Sequence, residues 1–406
     1  MLSRNSAKTE LSKLRVAIIH YWFVGRAGGE KVVEALAELF PQADLFCLVA
    51  DPATLAPVLR SRTLRTSFLQ RVPWARRFHR HFLFLQPIAL EHFDLNAYDL
   101  VISSESGPAK GVITSPRTCH ICYCHSPMRY IWEMYPQYRR AMNPVVGAVF
   151  SLVAHYMRQW DVASANRVDF FVANSQFVAS RIRKYYGRES RVIHPPVETA
   201  AGDVPITSGD YYLAVGRFVD YKRFDLAVDA CTQLGRKLRV IGGGPQYGLL
   251  RRKAGPSVEF LGMVDDGELR ENLAGCRALL FPGEEDFGIV PVEAQSFGKP
   301  VIAYGAGGAL ETVRGFFPGE FPVDGATGVF FDEQSVPSLI EAILEFESKG
   351  SSFSPQAIRE HSLQFDREIF KGKMSRFIES AMRDFKDRSR VNQIPLENPT
   401  LESPAV

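Results

Sequence analysis

Phe281-Pro282-Gly283-Glu284-Glu285-Asp286-Phe287-Gly288-Ile289-Val290-Pro291-Val292-Glu293 is the stretch on which the reading turns. An apolar run ends at Phe281, a proline–glycine turn follows, and a second apolar pattern opens after Phe287-Gly288. Strand, loop and helix start in that order form the unit from which parallel sheets are built. Glu285 falls on the loop and Glu293 on the helix, so the two carboxylates can reach different hydroxyls of one ligand. A carboxylate accepts such hydrogen bonds in fixed geometry, and a helix start offers free N–H groups and partial positive charge to an anion. Taken alone, the spacing also fits two glutamates on a solvated helix.

The same unit recurs in both directions. Toward the C-terminus, strands are expected at 212–215, 238–241, 258–261, 278–281 and 301–304, each followed by a helix-compatible segment. A helix at 335–348 follows residues 328–331. Toward the N-terminus, strands are expected at 16–23, 44–49, 100–103, 120–123, 170–173 and 191–194, with a helix starting near Glu30. The fold class is therefore α/β, with two Rossmann-like arrays whose C-terminal sheet edges face each other across a cleft. A chain of 406 residues also exceeds the roughly 250–300 that one core supports. The division expected is 1–200 and 201–365 for the two arrays, with a polar linker at 198–210. A helix at 366–387 returns to the first array, and 388–406 forms a disordered tail.

Composition bounds the chemistry. Hydrophobic residues make up 46% and charged residues 23%, as in ordinary soluble domains, and a net charge of +3 gives no argument for nucleic acid. Six cysteines in so long a chain make no disulfide framework, which points to a reducing cytoplasm. The first fifteen residues lack the apolar core of a signal peptide, and the apolar run at 145–154 is about half what a membrane span needs. The expectation is a cytoplasmic protein, soluble or peripheral on the inner face of the membrane.

The residues around the opening stretch sharpen the picture. Gly216-Arg217 and Lys222 lie after the first strand of the second array, where two cations can clamp a diphosphate and stabilise its departure. Gly242-Gly243-Gly244 permits either close approach of backbone to ligand or a tight turn, and Gly307-Gly308 repeats the strand–glycine–helix pattern.

Arg217, Lys222, Gly262, Glu285 and Glu293 with Phe287-Gly288 between them, and Gly307-Gly308 together resemble the family-4 glycosyltransferases of GT-B fold. In the first array, Gly28-Gly29-Glu30 is similar to that family's glycine loop, and His125-Ser126-Pro127 to its cleft histidine segment. The run from His125 to Trp132 resembles the subgroup of O-antigen and exopolysaccharide mannosyltransferases. The likeness extends from Val16 to about Phe377. It implies a retaining, metal-independent hexosyltransferase with no cofactor, the nucleotide sugar being a substrate and GDP-mannose the leading donor. Arg217 and Lys222 would bind the donor diphosphate, with Gly28, Gly29, Gly216, Gly243, Phe287, Gly288, Ile289 and Val290 around the donor. Glu293 would hold the ribose, Glu285 the transferred sugar, and His125 would sit beside sugar and acceptor. The catalytic set implied is thus His125, Glu285, Arg217 and Lys222. The absence of an Asp-x-Asp motif agrees with a metal-independent reaction.

Three other features of the sequence bear on function. Cys119, Cys122, Cys124 and His125 suggest a metal cluster, but on a strand Cys122 and Cys124 share one face and His125 takes the other. Between Asp51 and Glu91 there is no acidic residue, while arginines at 60, 62, 65, 71, 76, 77 and 80 interleave with Phe68, Trp74, Phe78, Phe82 and Phe84. That pattern at 60–85 fits an anionic membrane surface, or helix packing with snorkelled arginines, and nucleic acid least. The apolar run at 144–156 is expected as a buried helix of the first domain, with an interfacial helix as the alternative because Arg139, Arg140 and Arg158 flank it.

Three function classes remain open. They are hexosyl transfer to a lipid-linked or polysaccharide acceptor, another enzyme of the same plan such as a phosphorylase or epimerase, and a nucleotide-sugar-binding protein without turnover.

Overall fold

The computed structural model describes residues 11–199 and 209–391. Two seven-stranded sheets, all parallel, are built one after the other. The first contains β1 (Val16–Phe23), β2 (Asp44–Ala50), β3 (Leu64–Thr66), β4 (Leu100–Glu105), β5 (Cys119–Cys124), β6 (Phe170–Ala173) and β7 (Ser190–Val192), in the order β3-β2-β1-β4-β5-β6-β7. The second contains β8 (Tyr211–Arg217), β9 (Lys237–Gly243), β10 (Val258–Gly262), β11 (Ala278–Phe281), β12 (Val301–Tyr304), β13 (Gly315–Phe316) and β14 (Gly328–Phe331), in the order β10-β9-β8-β11-β12-β14-β13. Strand order reverses between β1 and β4 in one sheet and between β8 and β11 in the other. At such a point consecutive loops diverge and leave a crevice at the carboxyl ends of the strands.

Strand residues are buried on both faces, as in Val16 to Ile19 and Ala278 to Phe281, because helices cover both sides. The helices that matter for the site are α1 (Gly28–Leu39), α2 (Pro144–Ala165), α3 (Gln176–Tyr186), α4 (Phe224–Leu234), α5 (Ile289–Ser296), α6 (Ala309–Thr312), α7 (Val336–Ser348) and α8 (Arg367–Val391). Their starts follow local chemistry. Asn143, Ser175 and Ser335 each accept a backbone N–H three residues on, and Pro144 and Pro337 occupy first-turn positions where no N–H is needed. In α8, Phe370, Met374, Ile378 and Met382 recur at helical spacing and join the core of the first sheet, beside Ile121 and Tyr123. Arg367 and Lys371 pair with Glu38 of α1 at 2.8 and 3.1 Å.

The short strands β3 and β13 carry no alternating pattern of their own and pair only at sheet edges, which is why sequence reading passed over them. The expected tail, from 392 on, and 200–208 of the expected linker lie outside the described residues.

The helix at 144–156 is a correction. It runs on to Ala165, and only one stripe of it is buried: Gly147, Ala154, Met157 and Asp161 face the core, while Val145, Val149 and Leu152 are 74%, 58% and 75% exposed. An apolar run of this length fills more than one face of a helix, and the segments around Leu83, Met128 and Ile131 that pack on Ala154 and Met157 cover only one. Among the described residues no helix is long and apolar enough to cross a membrane.

Candidate functional site

In the second sheet the two strands at the switch point deliver the charged residues. Arg217 is the last residue of β8, and Lys222 closes the single 3-10 turn that follows it. The loop after β11 folds back so that Lys222 Nζ lies 2.8 Å from Glu285 Oε1. Gly283 makes this approach possible, since a Cβ there would stand 2.7 Å from the Lys222 Cα. The pair is mostly buried, with side chains 16% and 21% exposed. Burial alone would weaken the proton on Lys222; the Glu285 carboxylate outweighs that and holds its proton affinity above the ordinary lysine value. Arg217 sits close enough to act on Lys222 as a like charge and is itself exposed, with no ion pair found among the described residues. Gly216, beneath Lys222, has φ +150°, and a Cβ there would meet the lysine nitrogen at 3.3 Å.

Gly288 opens α5 with φ +86°, a left-handed conformation that suits glycine, and Glu293 lies one turn inside the helix. Across the cleft α1 opens at Gly28, where a Cβ would lie 2.5 Å from Ile289 Cδ1. The N-termini of α1 and α5 therefore meet end to end, both carrying partial positive charge and unbonded N–H groups. With Lys222 and Arg217 beside them, the arrangement favours an anion between the two domains. Glu293 Oε1 is paired with Lys31 Nζ of α1 at 2.8 Å.

His125 follows β5 on the opposite wall. Its Nε2 is 2.8 Å from Ser104 Oγ, and its backbone N–H bonds the carbonyl of Glu105. Burial pushes the imidazole down to about 3, with His20 nearby acting the same way and Glu30 against it, so His125 is neutral across the physiological range. A neutral ring bonded through Nε2 leaves Nδ1 to meet a ligand, and it cannot serve as a charged acid. Gly29 lies over this wall; a Cβ there would stand 2.9 Å from the Tyr21 hydroxyl and 3.6 Å from His125 Nε2. Glu30 Oε2 accepts the Ala27 N–H at 3.0 Å, and Oε1 faces His20 at 3.6 Å.

The structure thus brings Gly28, Gly29, Gly216, Arg217, Lys222, Glu285, Ile289 and Glu293 to one cleft, with His125 on its wall. Phe287 does not line it. Its ring is 3% exposed and packs with Val197, Val292 and Phe365, so only its backbone remains for a ligand. Val290 is half-buried and packs in part against the core of the second sheet. Within the glycine triplet, Gly242 and Gly244 press on the Gly216 and Phe218 carbonyls, and Gly243 keeps open space toward Met263. Gly307 and Gly308 admit the Glu285–Phe287 backbone, where a Cβ on Gly308 would stand 2.3 Å from the Phe287 Cα, so their role is packing. Cys119, Cys122 and Cys124 are buried on both faces of β5.

Sequence reasoning missed Lys31 and a charged seam between the domains. Arg181 binds Asp286, Arg129 lies 3.7 Å from the same carboxylate, and both reach Glu133. Glu311 accepts the Gln176 and Phe177 N–H groups at the start of α3, at 2.9 and 3.2 Å, and faces His194 at 3.1 Å. The only sequence signal was an acidic residue beside each glycine turn, too common to single out.

Two family models match the chain in succession: glycosyltransferase family 4 over residues 26–201 and glycosyl transferases group 1 over residues 203–362. The chain belongs to the family-4, group 1 glycosyltransferases. It is 26% identical over 202 residues to an uncharacterised glycosyltransferase of Methanocaldococcus jannaschii, and 30% identical over 209 residues to a glycogen synthase of Xanthomonas axonopodis. Each alignment covers 48% of this chain, and they span 53% and 38% of those proteins. HepE of Anabaena, solved with UDP, matches 90% of this chain and all of its own at a TM-score of 0.65 and 17% identity. AviGT4, a glycosyltransferase of avilamycin A biosynthesis, matches 92% of this chain and 98% of its own at 0.54 and 18%. Both likenesses establish the shared two-domain GT-B fold.

Proposed function

We propose that this protein transfers a hexosyl group from a nucleotide sugar, with retention and without a metal, to a lipid-linked or polysaccharide acceptor. The observation that carries the reading is the Lys222–Glu285 pair beside two converging helix N-termini. Positive charge for a departing diphosphate is set next to a carboxylate for the sugar it leaves. Arg217 and Lys222 neutralise the leaving group, Glu285 orients the hexose, Glu293 holds the ribose, and His125 donates to the sugar as a neutral ring. Gly243 borders the nucleoside, and the backbones of Gly28 and Gly29 close over the phosphates. GDP-mannose is the leading donor on subgroup likeness; UDP-glucose stands beside it because HepE has been solved with that compound. The protein works in the cytoplasm, and the arginine-rich 60–85 segment faces an anionic membrane, where Trp74 and Phe84 are 73% and 51% exposed.

A panel of nucleotide sugars incubated with the protein and membrane-derived acceptors tests this, with free nucleotide and the anomeric configuration of the product as readouts. Release with one donor and a retained anomer is expected. Tight binding with no release from any donor would favour a protein that only holds nucleotide sugar.

A further inference from the structure

The outward stripe of α2 has no counterpart in the proposed chemistry. Val145, Val149, Leu152 and Tyr156 follow one another at helical spacing and are 74%, 58%, 75% and 46% exposed. Scattered exposed apolar residues are ordinary, but a continuous stripe along one helix is not. We propose that this face docks the protein on an anionic lipid surface, with α2 lying in the interface plane. The proposal deepens the membrane reading of the 60–85 segment by assigning the apolar contact to a different element, and it does not depend on the donor chemistry.

Charge selects this occupant. No acidic residue occurs between Glu133 and Asp161, and Arg139, Arg140 and Arg158 lie in that interval. Gly147 leaves room for the Arg139 guanidinium across the first turn of α2, where its Nε bonds Ser151 Oγ at 3.2 Å. Among the described residues Arg139 and Arg140 have no ion pair. The second acid-free stretch adjoins the first, because Leu83 packs with Ala154 and Met157 on the inner side of α2. Two copies joined through this face would bring like charges together, whereas anionic headgroups complement them. Tyr156 is the one ring in this stripe, and a single ring gives no platform for successive bases, which argues against single-stranded nucleic acid.

The platform is rigid. Asp161, at the far end of α2, binds the fully buried Lys110 and accepts Trp132 Nε1 at 2.8 Å and the Tyr186 hydroxyl at 3.0 Å. Lys110 in turn donates its backbone N–H to Glu105, whose carbonyl bonds the His125 backbone. The docking helix is thereby tied to the wall of the cleft.

Flotation with vesicles of phosphatidylcholine and phosphatidylglycerol, against phosphatidylcholine alone, tests the proposal at low and high salt. The wild type should float with the anionic vesicles, less so at high salt. Val149→Glu/Leu152→Glu should lower the bound fraction at least about tenfold with an unchanged melting curve, and Leu152→Trp should raise it. Failure of the wild type to bind would overturn both this proposal and the membrane reading of 60–85. Loss of binding in Trp74→Glu with none in the double variant would overturn this proposal alone. A wild-type dimer that the double variant splits would assign the face to a second copy, and a gel shift of homopolymeric RNA lost in the same variant would assign it to nucleic acid.

Discussion

Lys222→Met separates what the lysine does for the fold from what it does for the reaction. At 2.8 Å, Lys222 and Glu285 attract by about 6 kcal/mol gross at an effective dielectric of about 20. Desolvation of both ends cancels most of that, and side chains 16% and 21% exposed leave water to the survivor. The stability loss expected is therefore about 1–2 kcal/mol, below the 3–5 of a fully buried broken pair. Adding Glu285→Gln removes the stranded charge and should recover most of it. Turnover behaves differently, because charge develops on the diphosphate only as the bond to the sugar breaks. Loss of one such charged donor costs about 3 kcal/mol, so kcat/KM should fall about 100- to 1,000-fold in Lys222→Met and stay low in the double variant. Urea denaturation gives the first quantity and nucleotide release the second. A Lys222→Met enzyme within threefold of wild type would remove the lysine from the mechanism.

Three further outcomes follow from the geometry. Gly28→Ala drives a methyl against Ile289 Cδ1 and should weaken binding of a nucleoside diphosphate severalfold by parting the two helix ends; Ile289→Ala in the same chain should restore it, and calorimetry reads both. Gly308→Ala meets backbone at 2.3 Å, which no rotamer change relieves, so a loss of about 2 kcal/mol or more is expected in urea denaturation, and a loss under about 0.5 would contradict the packing role. Burial pushes His120 and His125 down to about 3, so the stability their neutral forms contribute is present above the unfolded value near 6.5 and drains as pH falls toward 3. Glu105, raised by burial to about 7, acts in the opposite sense over roughly pH 4.5–7, one group against two. Melting temperature should therefore drop between pH 7.5 and 5, with a shallower slope in His120→Gln; an equal slope would refute the assignment.

The fold was legible because its information is local. Apolar runs such as Phe170–Ala173, Ala278–Phe281 and Val301–Tyr304 announce buried parallel strands, and the glycine turns between strand and helix mark where backbones must approach closely. The nearness of Arg217, Lys222, Glu285 and Glu293 was legible for the same reason, since each lies at the end of a strand or within the loop and helix that directly follow one. The burial of the Phe287 ring was not legible, because sequence gives a residue's place in an element, not the partner on its other side. That ring is taken by Val197 and Phe365, from segments far away in the chain.

What the amino-acid order determined is thus the alternation of strand and helix, and the residues carried to the two sheet edges. Tertiary structure alone decided that Gly28 meets Ile289, that Lys31 reaches Glu293 from the other domain, and that Arg181 and Arg129 share Asp286. It also decided that the apolar helix at Pro144 turns a stripe outward. Periodicity reports how a segment is built, whereas exposure and interdomain contact depend on how much surface the rest of the chain has left to cover it.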